Sequence, residues 1–253
     1  MEREIRIPLP EGKILYSVLN QKSDSKNLII LVHGLPGSDL DHPIFAASRY
    51  FPKRGFATLR INLYHWKPHA RKLLECTTKT HGEDVTRAID YSRKKLKFKK
   101  IFLAGHSWGG PSILFSDANQ SDGISLWDPS SDLARCFPVK SRKPGIEAYA
   151  YNKPLNAYVA DYGSITAISP AMLREARKHS TFKLKSLVRK IHRPIQFVIA
   201  QKGIWKKAAK KLFGAANESK SFTVIPGAFH SFQEEGKEIE LFKATLDWFR
   251  KIK

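Results

Sequence analysis

The stretch Ile101-Phe-Leu-Ala-Gly-His-Ser-Trp-Gly-Gly110 admits few folds. Its first four residues are apolar and uncharged, which reads as a buried strand, and an apolar helical run follows from Pro111. Between them Gly105, Ser107 and Gly109 spell Gly-x-Ser-x-Gly. A serine on so sharp a strand-to-helix turn needs neighbours two residues away on each side without bulky side chains. Otherwise the turn cannot close and the hydroxyl cannot project above the sheet. The helix that follows presents its first N–H groups where negative charge would develop in a reaction at that serine. The same five letters also occur in glycine-rich turns with no chemistry, so the surroundings decide.

Those surroundings alternate strand and helix. Residues 4–8 and 13–19 alternate as two strands joined by a Pro10-Glu-Gly12 turn. Residues 27–34 are a continuous apolar run, of the kind buried on both faces of a parallel sheet. Asp41-His-Pro43 starts a helix, with Asp41 as cap, that runs to about residue 53 and stops at Gly55. A strand over 56–61 precedes a loop over 62–79. Thr80-His-Gly-Glu83 has capping-box spacing, and Val85, Ala88, Ile89, Ser92 and Leu96 mark one face of the helix behind it. Strand 99–104, helix 111–119 and strand 123–127 come next. Residues 132–163 are rich in aromatics, Pro and Gly, with short strands expected at 147–151 and 157–162, then helices from Ser169-Pro170 and over 184–191. Alternation resumes with strand 194–200, helix 205–213, strand 221–225 and a last helix showing Ile239, Phe242, Leu246 and Phe249 on one face. The expectation is an α/β domain. It has a mostly parallel, twisted sheet of about eight strands, helices on both faces, and residues 129–193 inserted between the sixth and seventh strands.

The 253 residues suffice for one such domain, and 42% hydrophobic with 26% charged residues is the composition of a soluble globular chain. No run approaches the ~18 apolar residues of a membrane span. The charged start, Met1-Glu-Arg-Glu-Ile, gives no sign of export, so a cytoplasmic setting is expected, with Cys76 and Cys136 as reduced structural thiols. The net charge of +21 comes from scattered Lys and Arg clusters. No nucleic-acid module or basic–aromatic stripe accompanies them, so they read as solvated helix faces rather than a nucleic-acid surface.

A serine hydroxyl needs a base within reach. Of nine histidines, His230 stands just past the last strand and before the last helix, at the carboxyl edge of the sheet where ligands bind in such folds. His106 lies inside the turn and cannot point the same way as Ser107, so it packs or orients the turn. His65 and His69 are four apart, but Pro68 disfavours the helix that would pair them, and no metal site is read there. A carboxylate should hold the base in the right tautomer.

His33-Gly34 after a strand, Gly105-His-Ser-Trp-Gly109, and Gly227-Ala-Phe-His230 before the last helix together resemble the α/β-hydrolase superfamily over essentially the whole chain. The resemblance implies that the backbone N–H groups of Leu35, after Gly34, and of Trp108 form an oxyanion hole. It also implies an acid after strand 194–200, but Gln201-Lys-Gly-Ile204 contains none. A minority of the superfamily carries the acid one strand earlier, the place of Asp128, giving the order Ser107, Asp128, His230. Asp132, Asp161, Glu218 or no acid at all are the alternatives. The expected function is a cofactor-free serine hydrolase of the carboxylesterase or thioesterase kind acting on a small acyl substrate. A small-peptide aminopeptidase or acyl-peptidase is the second reading, and a non-catalytic relative binding an anionic partner the third. Residues 129–193 are expected to cap the site, with Phe137, Tyr149, Tyr151, Tyr158 and Tyr162 as an apolar wall or as the insertion's own core. Leu35, Leu40 and Trp108 would line the acyl side. Substrate and oligomeric state are not legible.

Overall fold

The computed structural model describes residues 2–22, 24–139, 148–161 and 165–252. Strands β1 (Glu2–Pro8) and β2 (Ile14–Asn20) form an antiparallel hairpin, and β2 pairs antiparallel with β4 (Ala57–Ile61). From there the sheet is parallel. β4 lies beside β3 (Asn27–Val32), then come β5 (Lys100–His106), β6 (Gly123–Trp127), β10 (Ile195–Ala200) and β11 (Lys220–Ile225), in the order β1-β2-β4-β3-β5-β6-β10-β11. The central strands are apolar on both faces because both are covered. Along β3, Leu28, Ile30 and Val32 enter one core while Ile29 and Leu31 enter the other; along β5, Ile101 and Leu103 oppose Phe102 and Ala104 in the same way.

One face is covered by α1 (His42–Tyr50) and α7 (Lys237–Lys251), whose Ile44, Ala47, Leu241, Phe242, Leu246 and Phe249 fill its core. The other is covered by α2 (Thr78–Lys94), α3 (Gly109–Leu114) and α6 (Lys206–Phe213). Among the described residues no helix is long and apolar enough to cross a membrane.

Between β6 and β10 the chain forms a separate antiparallel sheet of β7 (Ala150–Asn152), β8 (Ala157–Asp161) and β9 (Ile165–Ile168), then α4 (Pro170–Arg177) and α5 (Thr181–Arg189). Helix α5 packs between α3 and α6, so this part of the insertion joins the layer over the main sheet. Strand β9 has no counterpart in the sequence reading. Three further expectations are corrected. Helix α2 is capped by Thr77, three residues earlier than Thr80: Thr77 Oγ1 accepts the Thr80 N–H (3.2 Å) and Thr80 Oγ1 accepts the Thr77 N–H (2.9 Å). Helix α3 stops at Leu114 and a separate 3-10 turn covers Ala118–Gln120. Ile239 is exposed, and the buried stripe of α7 runs through Leu241 and Thr245 instead. Residue 147, where one short strand is expected to begin, and Tyr162 lie outside the described residues.

Candidate active site

Ser107 occupies the turn between β5 and α3 with φ at 53°, a left-handed conformation uncommon outside glycine. Bare neighbours make the turn possible. A Cβ on Gly105 would lie 2.6 Å from the Gly109 carbonyl oxygen, and one on Gly109 only 2.2 Å from that of Val32. The pairing of β5 with β6 continues past the strand ends: the Ser107 N–H donates to the Trp127 carbonyl, and the Ser130 N–H to the Ser107 carbonyl, both at 3.0 Å. The end of β6 is fixed in turn by the fully buried Trp127, whose indole N–H reaches Thr245 Oγ1 of α7 at 2.9 Å. Asp128 follows directly, with its N–H on the Val198 carbonyl of β10 at 2.8 Å. Its side chain is fully buried.

His230 sits in the loop from β11 to α7. The Lys202 N–H holds that loop through the Ala228 carbonyl (2.9 Å), and the His106 Nε2–H donates to the His230 carbonyl (2.8 Å). His106 thus holds the loop that carries His230 as well as its own turn. The outcome is a relay. Ser107 Oγ stands 2.8 Å from His230 Nε2, and His230 Nδ1 stands 2.6 Å from Asp128 Oδ2. An ionised carboxylate only accepts, so the proton lies on Nδ1 and Nε2 is left to accept from the serine.

The loop after β3 runs past the same hydroxyl. A Cβ on Gly34 would lie 3.6 Å from Ser107 Oγ. His33, fully buried, accepts the Leu63 N–H at Nε2 (3.1 Å) and therefore donates from Nδ1 to the Gly34 carbonyl (2.7 Å). Carbonyl and following N–H point oppositely across a trans peptide, so anchoring this carbonyl also sets the direction of the Leu35 N–H. Among the described residues, neither that N–H nor the Trp108 N–H has an acceptor. The Trp108 indole is braced separately, on His81 Nδ1 at 3.0 Å.

No protein-family model matches the chain, and no curated protein matches it by sequence. Solved structures do. An esterase domain of a Rhodothermus marinus protein is similar with TM-score 0.73 and 19% identity, over 99% of this chain and 98% of that one. Est1E from Butyrivibrio proteoclasticus with bound ferulic acid gives 0.78 and 18%, over 98% of each chain. A dienelactone hydrolase from Anabaena variabilis gives 0.72 and 14%, over 100% of this chain and 98% of that one.

The chain has the α/β-hydrolase fold.

Within that fold, the loop after β10, where the resemblance implies an acid, contains none. Gly203 lies there, and a Cβ on it would fall 2.4 Å from Asp128 Oδ2 and 2.8 Å from Asp128 Cγ. The carboxylate after β6 fills the space that a side chain from the β10 loop would need. Of the other acids considered, Asp132 accepts from Thr181 Oγ1 and Glu218 pairs with Lys220, so neither is bonded to His230. Among the described residues no three His, Cys, Asp or Glu side chains gather as a metal-binding set.

The α/β-hydrolase fold here also buries three neutral histidines. Burial pushes His33 down to about 4, and pushes His81 and His106 down to about 3, with His230 adding to the effect on His106. A histidine with a depressed folded pKa gives stability that is complete above its unfolded pKa of ~6.5 and is lost as pH falls towards the folded value. Three such groups correspond to a loss of ~4 kcal/mol per pH unit. Asp84, pushed up to about 6 by burial, binds a proton first in the folded chain and offsets one of them, and the partly exposed Asp41 offsets less. Folding stability is therefore expected to fall by ~2 kcal/mol per pH unit between pH 6 and 4. Urea midpoints across that range check this, and a midpoint independent of pH would contradict it.

Proposed function

We propose that this protein is a serine hydrolase that cleaves an ester or thioester of a small acyl substrate through an acyl-enzyme. The observation that carries the reading is the unbroken hydrogen-bonded relay from Ser107 through His230 to Asp128. Ser107 Oγ attacks the carbonyl carbon as its proton passes to His230 Nε2. Asp128 stays ionised and stabilises the imidazolium. The Leu35 and Trp108 N–H groups receive the oxyanion, a pair of donors of which each is worth ~3–4 kcal/mol of barrier in comparable sites. When the tetrahedral species collapses, the bond to the leaving alcohol or thiol breaks and His230 returns the proton to it. Water then enters, gives a proton to His230 and attacks the acyl-enzyme; the Ser107 oxygen leaves with that proton and the acid is released. Every step uses groups of this chain.

The β7–β9 sheet of the insertion acts as the cap, since α5 belongs to the layer over the main sheet. Phe137 packs on Trp108 with ring centroids 5.1 Å apart, and Tyr149 on Phe137 at 5.4 Å; all three are buried in the hydrophobic core, so these rings brace the proposed oxyanion donor and do not line an acyl pocket. The Rhodothermus marinus esterase domain and the Anabaena variabilis dienelactone hydrolase share the fold, in agreement with hydrolysis. The test is covalent labelling by a fluorophosphonate probe, expected for the wild type and absent in Ser107→Ala, together with turnover of p-nitrophenyl acyl esters and thioesters. A wild-type protein that takes no label and turns over no acyl substrate is a binding protein on the same fold.

A further inference from the structure

A cleft of about 430 Å³ opens between the loops that follow β3 and β4, with Asp39, Leu40, Tyr64, His65, Trp66 and Leu73 among its walls. Small-molecule sites run from ~300 to 1,000 Å³, so it is large enough for part of a substrate. It adjoins the loop that runs past Ser107, and its walls include none of Ser107, His230, Leu35 or Trp108. Gly37 is on its wall, a Cβ on Gly37 would lie 2.8 Å from the Gly34 carbonyl oxygen, and a Cβ on Gly34 would lie 3.6 Å from Ser107 Oγ.

The cleft is apolar where it is open. Trp66 is 80% exposed and Leu40 66% exposed, so two large side chains keep surface in water that a ligand would cover. Its charges are already engaged. The Lys72 ammonium donates to the carbonyls of His65 (3.2 Å), Trp66 (2.8 Å) and Lys67 (2.9 Å), which uses all three of its protons. The Asp39 carboxylate is nearly buried and stands 4.0 Å from the buried Arg60 guanidinium. Two neutral donors remain. Tyr64 Oη accepts the Gly37 N–H at 2.6 Å, which leaves its own proton to give. His65 accepts the Lys67 N–H at Nδ1 (3.0 Å), which places its proton on Nε2, and burial with Lys67 and Lys72 nearby keeps the ring neutral. An indole face, apolar walls, no free charge and two neutral donors suit an uncharged aromatic ring carrying an oxygen acceptor.

We propose that this cleft holds a neutral aryl group of the substrate ester, stacked on Trp66. The proposal rests on the serine-hydrolase reading only for the reaction, since binding is measurable without it. Two probes place the ring on opposite sides of the ester: methyl 3-(4-methoxyphenyl)propanoate on the acyl side, 2-(4-methoxyphenyl)ethyl acetate on the alcohol side. Ethyl butanoate is the ring-free reference. Calorimetry with Ser107→Ala is expected to show one aryl ester binding at least tenfold tighter than ethyl butanoate, a margin that disappears when Trp66→Ala is added. In the active protein, Trp66→Ala should lower the kcat/KM ratio of that aryl ester over ethyl butanoate at least tenfold. Equal binding of all three esters, a ratio unmoved by Trp66→Ala, or a preference for a choline or hemisuccinate ester overturns the proposal. Trp66-dependent binding without Ser107 labelling leaves the cleft standing and removes the hydrolase. Labelling without that binding does the reverse.

Discussion

Asp128→Asn is expected to lower kcat by about four orders of magnitude, with KM, far-UV spectrum and thermal midpoint close to those of the wild type. The carboxylate accepts a hydrogen bond from the His230 Nδ1–H at 2.6 Å. An asparagine amide turned to donate there would shift the imidazole proton to Nε2, where it would meet the Ser107 hydroxyl with no lone pair left to accept from it. The fold should survive. Asp128 is fully buried, its second oxygen has no partner among the described residues, and a neutral amide removes a charge from that site. Steady-state kinetics beside circular dichroism provides the check, and near-normal turnover would mean that another group, or none, orients His230.

Gly203→Ala should cost about a hundredfold in kcat, with KM little changed. Gly203 is not in the left-handed region, so alanine meets no backbone penalty. What it meets is the Asp128 carboxylate, with all three of its heavy atoms within 2.8 Å of the new Cβ. The carboxylate must move by about 1 Å, a displacement that costs ~10² in comparable sites. The loss should vanish in the Asp128→Asn background, because the two changes act on one hydrogen bond and cannot add. Full additivity would show that Gly203 matters for some other reason.

The central strands were legible because burial on both faces leaves long apolar runs with no competing period, as in β3 and β5. Ser107 and Asp128 were placed because each directly follows such a strand, β5 or β6; His230 was placed by its position between the half-buried edge strand β11 and the last helix. Strand β9 was not legible: it is four residues long, and although its burial alternates, the apolar Ile165 is 78% exposed while the polar Thr166 is buried, so polarity does not follow the pleat. The cap of α2 was misplaced because Thr80 and Glu83 fit the usual spacing, whereas the bonds are made by two threonines, 77 and 80. The braces around the site come from contacts across the chain. His33 reads Leu63, Trp108 reads His81, and His106 reads a carbonyl 124 residues away. Gly203 left a trace that was read only as a missing acid. Its meaning is steric, and steric exclusion between strands β6 and β10 has no sequence period.

The His106 bond to the His230 carbonyl joins the residue just before the nucleophile to the backbone of the base. That bond ties the β11–α7 loop to the β5 turn, so Ser107 and His230 are held against one another by a second link beside their own contact. A relay tied in this way is assembled before any substrate arrives, so the proposed hydrolysis would need no swing of His230 into place.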